Sequence, residues 1–231
     1  MFSEKKNHLL LLHGALGSKA QLQALKDSLS KDFNVHILNF EGHGGRPSNR
    51  NFRMESFAEN VLEFSKEKNI SKVAIFGYSM GGYVALTLAK SHPNLVHKII
   101  TLGTKFDWTP DFAAKEVQKL NPDKIEEKVP AFAQQLQAIH TPSDWKEVVT
   151  KTAEMMTDLG NGNRLTPNNF RQISTPTLIS LGTLDKMVTT EESQEVARLL
   201  PNATFRAMEG FPHLIEKVDA EKLVEVIRGF M

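Results

Sequence analysis

A serine between two glycines is the residue of this chain with the clearest capacity for chemistry. The segment Gly77-Tyr78-Ser79-Met80-Gly81 follows a short apolar run, residues 72–76, and precedes an amphipathic run, residues 82–90. This order predicts a strand, a sharp turn and a helix, with Ser79 at the turn. A hydroxyl at that position is exposed beside helix N-terminal N–H groups that can stabilise an oxyanion. The motif therefore predicts a nucleophile, and the alternative is a glycine-rich turn whose serine only caps the helix.

A serine nucleophile needs a base, and the base needs a group that orients it. Asp185 follows the predicted strand 177–181, and His213 follows a predicted short strand near residues 203–207. Because parallel strands end at the same edge of a sheet, we expect Ser79, Asp185 and His213 to meet there as a catalytic triad. The alternative for Asp185 is a turn carboxylate without a catalytic role.

His213 is the best candidate for the base among the eight histidines of the chain. His13 and His43 also follow predicted strands, but they precede the serine, and we interpret both as residues that brace loops through backbone hydrogen bonds. The other five lie elsewhere. His8 precedes the first predicted strand, His36 lies within a strand, and His92 and His97 flank the connection into the predicted strand 96–102. His140 belongs to the predicted helical segment.

An acyl-transfer site also needs two backbone donors for the oxyanion. The N–H of Met80, directly after the nucleophile, is the first candidate. The second is the N–H of Ala15, in the loop His13-Gly14-Ala15-Leu16-Gly17-Ser18 that follows the first predicted strand.

Apolar strands that alternate with amphipathic helices predict an α/β fold: a mostly parallel sheet of about six strands with helices on both faces. The alternation stops between Lys105 and Gln172, where several helix-like segments and five prolines occur. We therefore predict a core of residues 1–104 and 173–231 and a helical lid, residues 105–172, above the carboxyl ends of the strands. An independent small domain is the alternative for the inserted segment.

The composition excludes several functional classes. The 231 residues include no cysteine, so disulfides and thiolate chemistry are excluded. The net charge is +1 without a basic block, which argues against nucleic acid or an anionic membrane as a partner. The first apolar run, Leu9 to Leu12, is too short for a signal sequence or a membrane span, so we expect a cytoplasmic protein.

Taken together, the motifs resemble those of the α/β-hydrolase superfamily, specifically its compact, lidded esterases. The resemblance covers nearly the whole chain and is carried by His13-Gly14 with Gly17-Ser18, Gly42-His43-Gly44, Gly77-Tyr78-Ser79-Met80-Gly81-Gly82, Gly182 with Asp185, and His213 before Glu216. It implies Ser79 as nucleophile, His213 as base, Asp185 as the orienting acid, and Ala15 and Met80 as oxyanion donors.

The chain departs from the family pattern in three places. Only about eight residues precede the His-Gly strand, where the family usually has a β-hairpin; an open sheet edge of this kind favours a homodimer. Pro212 stands before His213 where glycine is frequent, and the usual proline before Gly42 is absent.

The resemblance implies hydrolysis of a small or medium carboxylic ester through an acyl-enzyme, with no metal or organic cofactor. Apolar residues of the predicted lid are candidates for an acyl pocket or, for most of them, for the lid's own core: Phe106, Trp108, Phe112, Phe132, Trp145, Met155 and Met156.

Three alternative functions stay open. The motifs also resemble those of the menaquinone-pathway lyase that eliminates pyruvate. Tyr83 stands where that family usually has an arginine, and Arg164 and Arg171 are candidates to compensate for it. An acyl-thioester hydrolase and a non-catalytic ligand-binding module are the other two.

Overall fold

A six-stranded sheet forms the centre of the computed structural model, which describes residues 6–231; the first five residues of the predicted core lie outside it. All six strands are parallel, in the order β2-β1-β3-β4-β5-β6. The strands are β1 (His8–Leu12), β2 (Asn34–Ile37), β3 (Val73–Tyr78), β4 (Val96–Leu102), β5 (Thr177–Gly182) and β6 (Ala203–Met208). The predicted α/β class and the number of strands are confirmed.

Ten α-helices connect and cover these strands within the described part of the chain. They are α1 (Gln23–Leu29), α2 (Met54–Glu67), α3 (Met80–Ser91), α4 (Pro110–Val117), α5 (Pro122–Lys128), α6 (Pro130–His140), α7 (Trp145–Gly160), α8 (Pro167–Gln172), α9 (Thr190–Leu199) and α10 (Ala220–Phe230). Among residues 6–231, no helix combines the length and the apolar character needed to cross a membrane.

Helices cover both faces of the sheet, which explains why the strands are apolar throughout. In β1, Leu10 and Leu12 face a core shared with α2, α3 and α9, whereas Leu9 and Leu11 face a second core shared with α1 and α10. Because successive side chains of a strand point to opposite faces, a strand buried on both sides needs an apolar residue at every position.

The pattern of residues 35–40 predicts a second strand that runs to Phe40, but β2 ends at Ile37, so this prediction is wrong at its carboxyl end. The reason is that side chains bind the backbone polar groups of residues 39 and 40, which are then not available to a neighbouring strand. Phe40 donates its N–H to His13 Nε2 (3.2 Å), and the Asn39 carbonyl oxygen accepts a hydrogen bond from Arg46 Nη1 (2.9 Å). Residues 38–40 therefore leave the sheet and form part of the loops at its carboxyl edge.

Helices α4 to α8 all lie between β4 and β5, in the segment predicted as a lid. Four of them begin with a side-chain cap and a proline or polar first turn; the caps are Thr109, Asn121, Asp144 and Thr166. The sequence predicts helices near residues 112–120, 131–139, 145–159 and 168–173. Helix α5 lies between the first two and has no recognisable apolar pattern, because only Ile125 of its seven residues is buried. The action of this segment as a lid stays a prediction.

Most apolar residues proposed for an acyl pocket are instead packed inside the protein. Phe106, Trp108 and Met155 are part of the main core, and Trp145 belongs to a small cluster within the insertion. Phe112 and Met156 pack against the main core, and only Phe132 is exposed. The core interpretation of these residues is thus the one that the packing favours.

Candidate active site

Ser79 adopts a backbone conformation that few non-glycine residues adopt, with φ 49° and ψ −115°. This conformation costs free energy and persists only where the surrounding structure enforces it. Here the Ser79 N–H donates to the Leu102 carbonyl (2.8 Å), and the Thr104 hydroxyl donates to the Ser79 carbonyl (2.9 Å). The predicted order of strand, sharp turn and helix is present as β3, the turn at Ser79 and α3.

Glycines next to Ser79 permit the close approach of β3, α3 and β1. A Cβ atom on Gly77 would lie 2.4 Å from the Gly82 backbone, and one on Gly81 would lie 2.5 Å from the Leu12 carbonyl oxygen. Both distances are far shorter than any van der Waals contact, so a side chain at either position would force the turn open. The two glycines of the motif are therefore required by packing.

Asp185 and His213 form a hydrogen-bonded pair at the same edge of the sheet. His213 Nδ1 and Asp185 Oδ2 lie 2.7 Å apart, and the exposed fractions of the two side chains are 12 % and 1 %. Because a carboxylate can only accept a hydrogen bond, Nδ1 of the imidazole carries the proton and donates it. Nε2 of the neutral ring is then left as a base.

The Asp185 carboxylate is itself held in place by the backbone. Its Oδ1 accepts hydrogen bonds from the N–H groups of Met187 (2.8 Å) and Val188 (3.1 Å). Burial raises the pKa of the Asp185 carboxyl, but the hydrogen bonds from His213 and from the two amides outweigh this effect and leave the pKa below its usual value. The acid is therefore ionised at neutral pH and fixed in orientation.

Residues 102–104 link the Ser79 turn to the Asp185–His213 pair. Leu102 and Thr104 hold the Ser79 backbone, as described above, and a Cβ atom on the intervening Gly103 would lie 3.2 Å from Asp185 Oδ2 and 3.3 Å from His213 Nδ1. Gly103 also has a positive φ of 63°. None of the sequence motifs includes this segment; its available signal is a glycine at the carboxyl end of a buried strand.

The loop after β1 runs directly beside the candidate nucleophile. A Cβ atom on Gly14 would lie 3.3 Å from the Ser79 Cβ, so the backbone that leads to Ala15 passes next to this serine. Within residues 6–231, neither the Ala15 N–H nor the Met80 N–H donates to another group of the protein. Both predicted oxyanion donors are thus available.

His13 fixes the direction of the Ala15 N–H. Its Nε2 accepts from the Phe40 N–H, so the proton lies on Nδ1, which donates to the Gly14 carbonyl oxygen (2.8 Å). That carbonyl and the Ala15 N–H belong to one planar trans peptide and point in opposite directions. A hydrogen bond that holds the carbonyl therefore aims the N–H.

Three buried imidazoles lie behind this loop: His13, His43 and His140. The rings of His13 and His43 are 5.3 Å apart between centroids, and those of His43 and His140 are 5.8 Å apart. Burial lowers the pKa of His13 to about 4, and burial together with the neighbouring His13 lowers the pKa of His43 well below its usual value. Burial also lowers the pKa of His140. All three rings are neutral at pH 7.

The remaining histidines lie away from these contacts, and three of them are in the sheet: His8, His36 and His97, the last in β4. His36 lies in β2, and His8 is the first residue of β1 rather than a residue before it; their ring nitrogens are 2.9 Å apart. No group of three His, Asp or Glu side chains within the described residues has the arrangement of a metal site.

Comparison with known proteins gives the family. Residues 7–139 match the model of the alpha/beta hydrolase fold family. The match covers more than half of the 231 residues, and the chain belongs to this family.

Relatives of the chain include hydrolases of esters. A putative esterase/lipase of Haemophilus influenzae is 22 % identical over 96 % of this chain and 82 % of its own length. A pimeloyl-[acyl-carrier protein] methyl ester esterase of Vibrio cholerae is 25 % identical over 96 % of this chain and 93 % of its own. These relatives support an enzyme that hydrolyses esters in general.

Solved structures share the fold. MenH from S. aureus superposes with a TM-score of 0.78 at 20 % identity, over 99 % of this chain and 94 % of the other. At this identity the similarity shows the fold alone.

Asp185→Asn tests the orientation of the pair. The two backbone N–H groups that now donate to Oδ1 would select the amide oxygen, which turns the amide NH₂ toward His213 Nδ1. The ring must then accept at Nδ1 and protonate Nε2, so it can no longer take a proton from a serine. We expect kcat for ester hydrolysis to fall by about 10³- to 10⁴-fold with an unchanged fold, measured by steady-state kinetics and circular dichroism. Activity within about ten-fold of the parent would contradict this orientation.

The neutral histidine cluster predicts how stability depends on pH. The unfolded chain binds protons at histidine below about pH 6.5, whereas folded His13 stays neutral down to about pH 4. The unfolded state thus binds more protons, and the free energy of unfolding falls as the pH falls through this window, by about 1.4 kcal/mol per pH unit for each such proton. Urea unfolding at several pH values measures the slope.

His43→Phe provides the matched comparison for this slope. The His43 ring stacks on Phe52 with centroids 4.9 Å apart, and its Nε2 has no hydrogen-bond partner among the described residues. A phenyl ring fits the same ring contacts and cannot titrate. It loses the hydrogen bond from Nδ1 to the Glu41 carbonyl (3.2 Å), which lowers stability without adding a dependence on pH. Because burial holds the pKa of His43 well below its usual value, we expect a shallower loss of stability in His43→Phe as the pH falls below about 6.5; an identical slope would show that this histidine does not contribute.

Proposed function

We propose that this protein hydrolyses small to medium carboxylic esters through an acyl-enzyme at Ser79. The observation that carries the proposal is the 2.7 Å hydrogen bond from His213 Nδ1 to Asp185, tied through Gly103 to the strained Ser79 turn. It supports a ring held in one tautomer, with Nε2 as the base. The family and the ester-hydrolysing relatives support the same class of reaction.

In the proposed reaction, the Ser79 oxygen attacks the ester carbonyl carbon while His213 Nε2 takes the hydroxyl proton. The carbonyl π electrons move to the oxygen, which becomes an oxyanion. When the tetrahedral intermediate collapses, the C–O bond to the alcohol breaks and His213 returns the proton to the leaving oxygen. Water then repeats both steps and releases the carboxylic acid and the free serine. Asp185 stays ionised and stabilises the imidazolium in each half-reaction.

The proposed oxyanion donors are the N–H groups of Ala15 and Met80. The Met80 N–H lies at the start of α3, where the helix dipole also favours negative charge. The Ala15 N–H is aimed by the His13 contact with Gly14 described above. Donors that are already oriented need no rearrangement as charge develops, and one such donor is typically worth about 3 kcal/mol in the transition state.

Three exposed apolar side chains support an apolar acyl or alcohol group on the substrate. Leu184, Met187 and Leu214 are 59 %, 53 % and 50 % exposed and lie within two residues of Asp185 or His213. The Leu184 N–H donates to the Phe211 carbonyl (3.0 Å), which joins the two loops that carry them. Large apolar groups left in solvent next to reacting groups are typical of a substrate-binding rim.

The pyruvate-eliminating lyase is the second candidate, and the structural similarity to MenH fits it. A substrate with several carboxylates needs cationic partners near the serine. Arg164 lines a surface cavity with Arg53 and Lys90, and neither Ser79 nor His213 is part of that lining. Arg171 is exposed and donates to Asn168 (2.9 Å). These contacts favour the esterase over the lyase.

Rapid mixing with p-nitrophenyl butyrate tests the acyl-enzyme. We expect a burst of p-nitrophenolate equal to the enzyme concentration, followed by slower turnover, because acylation releases the alcohol before water attacks. Ser79→Ala should abolish the burst, and His213→Ala should lower kcat by at least about 10³-fold with little loss of stability. His92→Ala, which replaces an exposed histidine elsewhere, is the control and should retain activity.

Two results would contradict the proposed function. One is an unchanged burst in Ser79→Ala. The other is the absence of turnover with p-nitrophenyl esters whose acyl groups have about two to twelve carbons, and with the matching thioesters; this range includes small and medium acyl groups. Preferential turnover of thioesters would instead assign the same mechanism to an acyl-thioester hydrolase.

A further inference from the structure

We propose that His140, the last residue of α6, positions the Ala15 N–H for catalysis through two consecutive peptide planes. The inference rests on the proposed function, since it concerns the oxyanion donor of that reaction. It makes the insertion between β4 and β5 part of the catalytic apparatus, through a residue that touches neither the nucleophile nor its base. His140 is a positioning residue in this account.

The His140 side chain is fully buried and uses both ring nitrogens. Nδ1 accepts a hydrogen bond from the Gly44 N–H (3.1 Å), so the ring proton lies on Nε2, which donates to the Leu16 carbonyl oxygen (3.1 Å). One imidazole from the insertion thereby joins two loops at the carboxyl edge of the sheet, the loop after β1 and the loop after β2.

The contact with Leu16 reaches Ala15 through backbone geometry. The Leu16 carbonyl shares its planar peptide with the Gly17 N–H, which donates to the Gly14 carbonyl oxygen (3.3 Å). That Gly14 carbonyl in turn shares its peptide with the Ala15 N–H. The His140 N–H therefore fixes the peptide plane of Leu16 and Gly17. This plane helps to hold the peptide plane of Gly14 and Ala15, which directs the Ala15 N–H.

Leu16 needs this support because its backbone is strained. Its φ of 57° lies in the left-handed region, which is unfavourable for a leucine. The Leu16 side chain packs against both the main core and the small cluster of the insertion that contains Leu136 and Trp145. The insertion thus holds Leu16 by its side chain and, through His140, by its carbonyl. Loss of the carbonyl contact lets the peptide rotate toward a relaxed conformation.

The loop on the other side of His140 is braced independently. The His43 carbonyl, which shares its peptide plane with the Gly44 N–H, accepts from the Arg46 N–H (3.1 Å), and the Gly44 carbonyl accepts from Asn39 Nδ2 (2.9 Å). The Gly44 N–H is therefore a fixed donor that selects the tautomer of His140. This arrangement makes the Nε2–H contact with Leu16 the one that catalysis depends on.

Two substitutions separate positioning from folding. His140→Phe keeps an aromatic ring but removes both hydrogen bonds, whereas His140→Gln can place its amide N–H near the former Nε2 and still reach Leu16. We expect His140→Phe to lower kcat for p-nitrophenyl butyrate about ten-fold with KM within about two-fold, a part of the effect of losing an oxyanion donor. His140→Gln should recover kcat to within about three-fold of the parent.

Thr152→Val is the matched control within the insertion. Thr152 is also buried and donates to the Val148 carbonyl (2.7 Å) in α7, so its loss perturbs the insertion without a contact to the loop after β1. We expect its kcat to equal that of the parent. An equal loss of kcat in Thr152→Val and His140→Phe would overturn the proposal, because the effect would then be a general one.

A trifluoromethyl ketone supplies a readout specific to the oxyanion. The Ser79 oxygen adds to its carbonyl carbon, the hydroxyl proton passes to His213, and the former carbonyl oxygen becomes an oxyanion between the two donors. The inhibition constant should rise about ten-fold in His140→Phe and remain near the parent value in Thr152→Val. Unchanged inhibition in His140→Phe would overturn the positioning role.

The remaining outcomes are also decisive. Should His140→Phe not fold, the comparison passes to His140→Asn, whose shorter side chain cannot reach Leu16; kcat equal to that of His140→Gln would then overturn the proposal. A parent protein that neither hydrolyses esters nor binds the ketone would refute the proposed function, and this inference with it. An active parent whose His140 variants match the control would refute the inference alone.

Discussion

The surrounding sheet and helices hold the backbone of Ser79 in a strained conformation, and the proposed chemistry depends on this constraint. A residue with φ 49° and ψ −115° is held there only because Leu102 and Thr104 bind its backbone and because glycines allow β3, α3 and β1 to meet. Each of these partners lies at the carboxyl edge of a parallel sheet buried on both faces. The hydrophobic layers therefore do more than stabilise the fold, since they hold a polar turn in a conformation that it would not adopt alone.

Orientation, more than proximity, is what the polar contacts of the site provide. Two backbone N–H groups fix the Asp185 carboxylate, and the carboxylate holds the His213 imidazole in one defined tautomer. On the opposite side, His13 and His140 hold carbonyl groups whose peptide partners are N–H donors. Burial keeps these two rings neutral, which is the state in which each can donate at one nitrogen and accept at the other.

The sequence predicted the sheet and the candidate residues because both depend on local patterns. Apolar runs gave the strands, and the glycines around Ser79, together with the positions of Asp185 and His213 after strands, gave the triad candidates. What it could not predict depends on contacts between distant segments: the early end of β2, the role of Gly103 and the contact between His140 and Leu16. A histidine at the end of a helix has no local feature that shows which carbonyl it will meet.

The insertion illustrates the same limit. Its helices α4, α6, α7 and α8 follow from apolar periodicity, but α5 has too few buried residues to show such a pattern. Its aromatic residues mostly complete cores, which their spacing alone did not decide. His140 connects the insertion to the site through the Leu16 carbonyl, which lies 124 residues earlier in the chain.

The central claim is that Ser79 is the nucleophile and that the Ala15 and Met80 amides receive the oxyanion. A crystal structure of the protein after reaction with diethyl p-nitrophenyl phosphate tests it most directly. We expect a single adduct on Ser79 whose phosphoryl oxygen accepts hydrogen bonds of about 2.7–3.1 Å from both amides. An adduct on another residue, or one on Ser79 whose oxygen contacts neither amide, would contradict it.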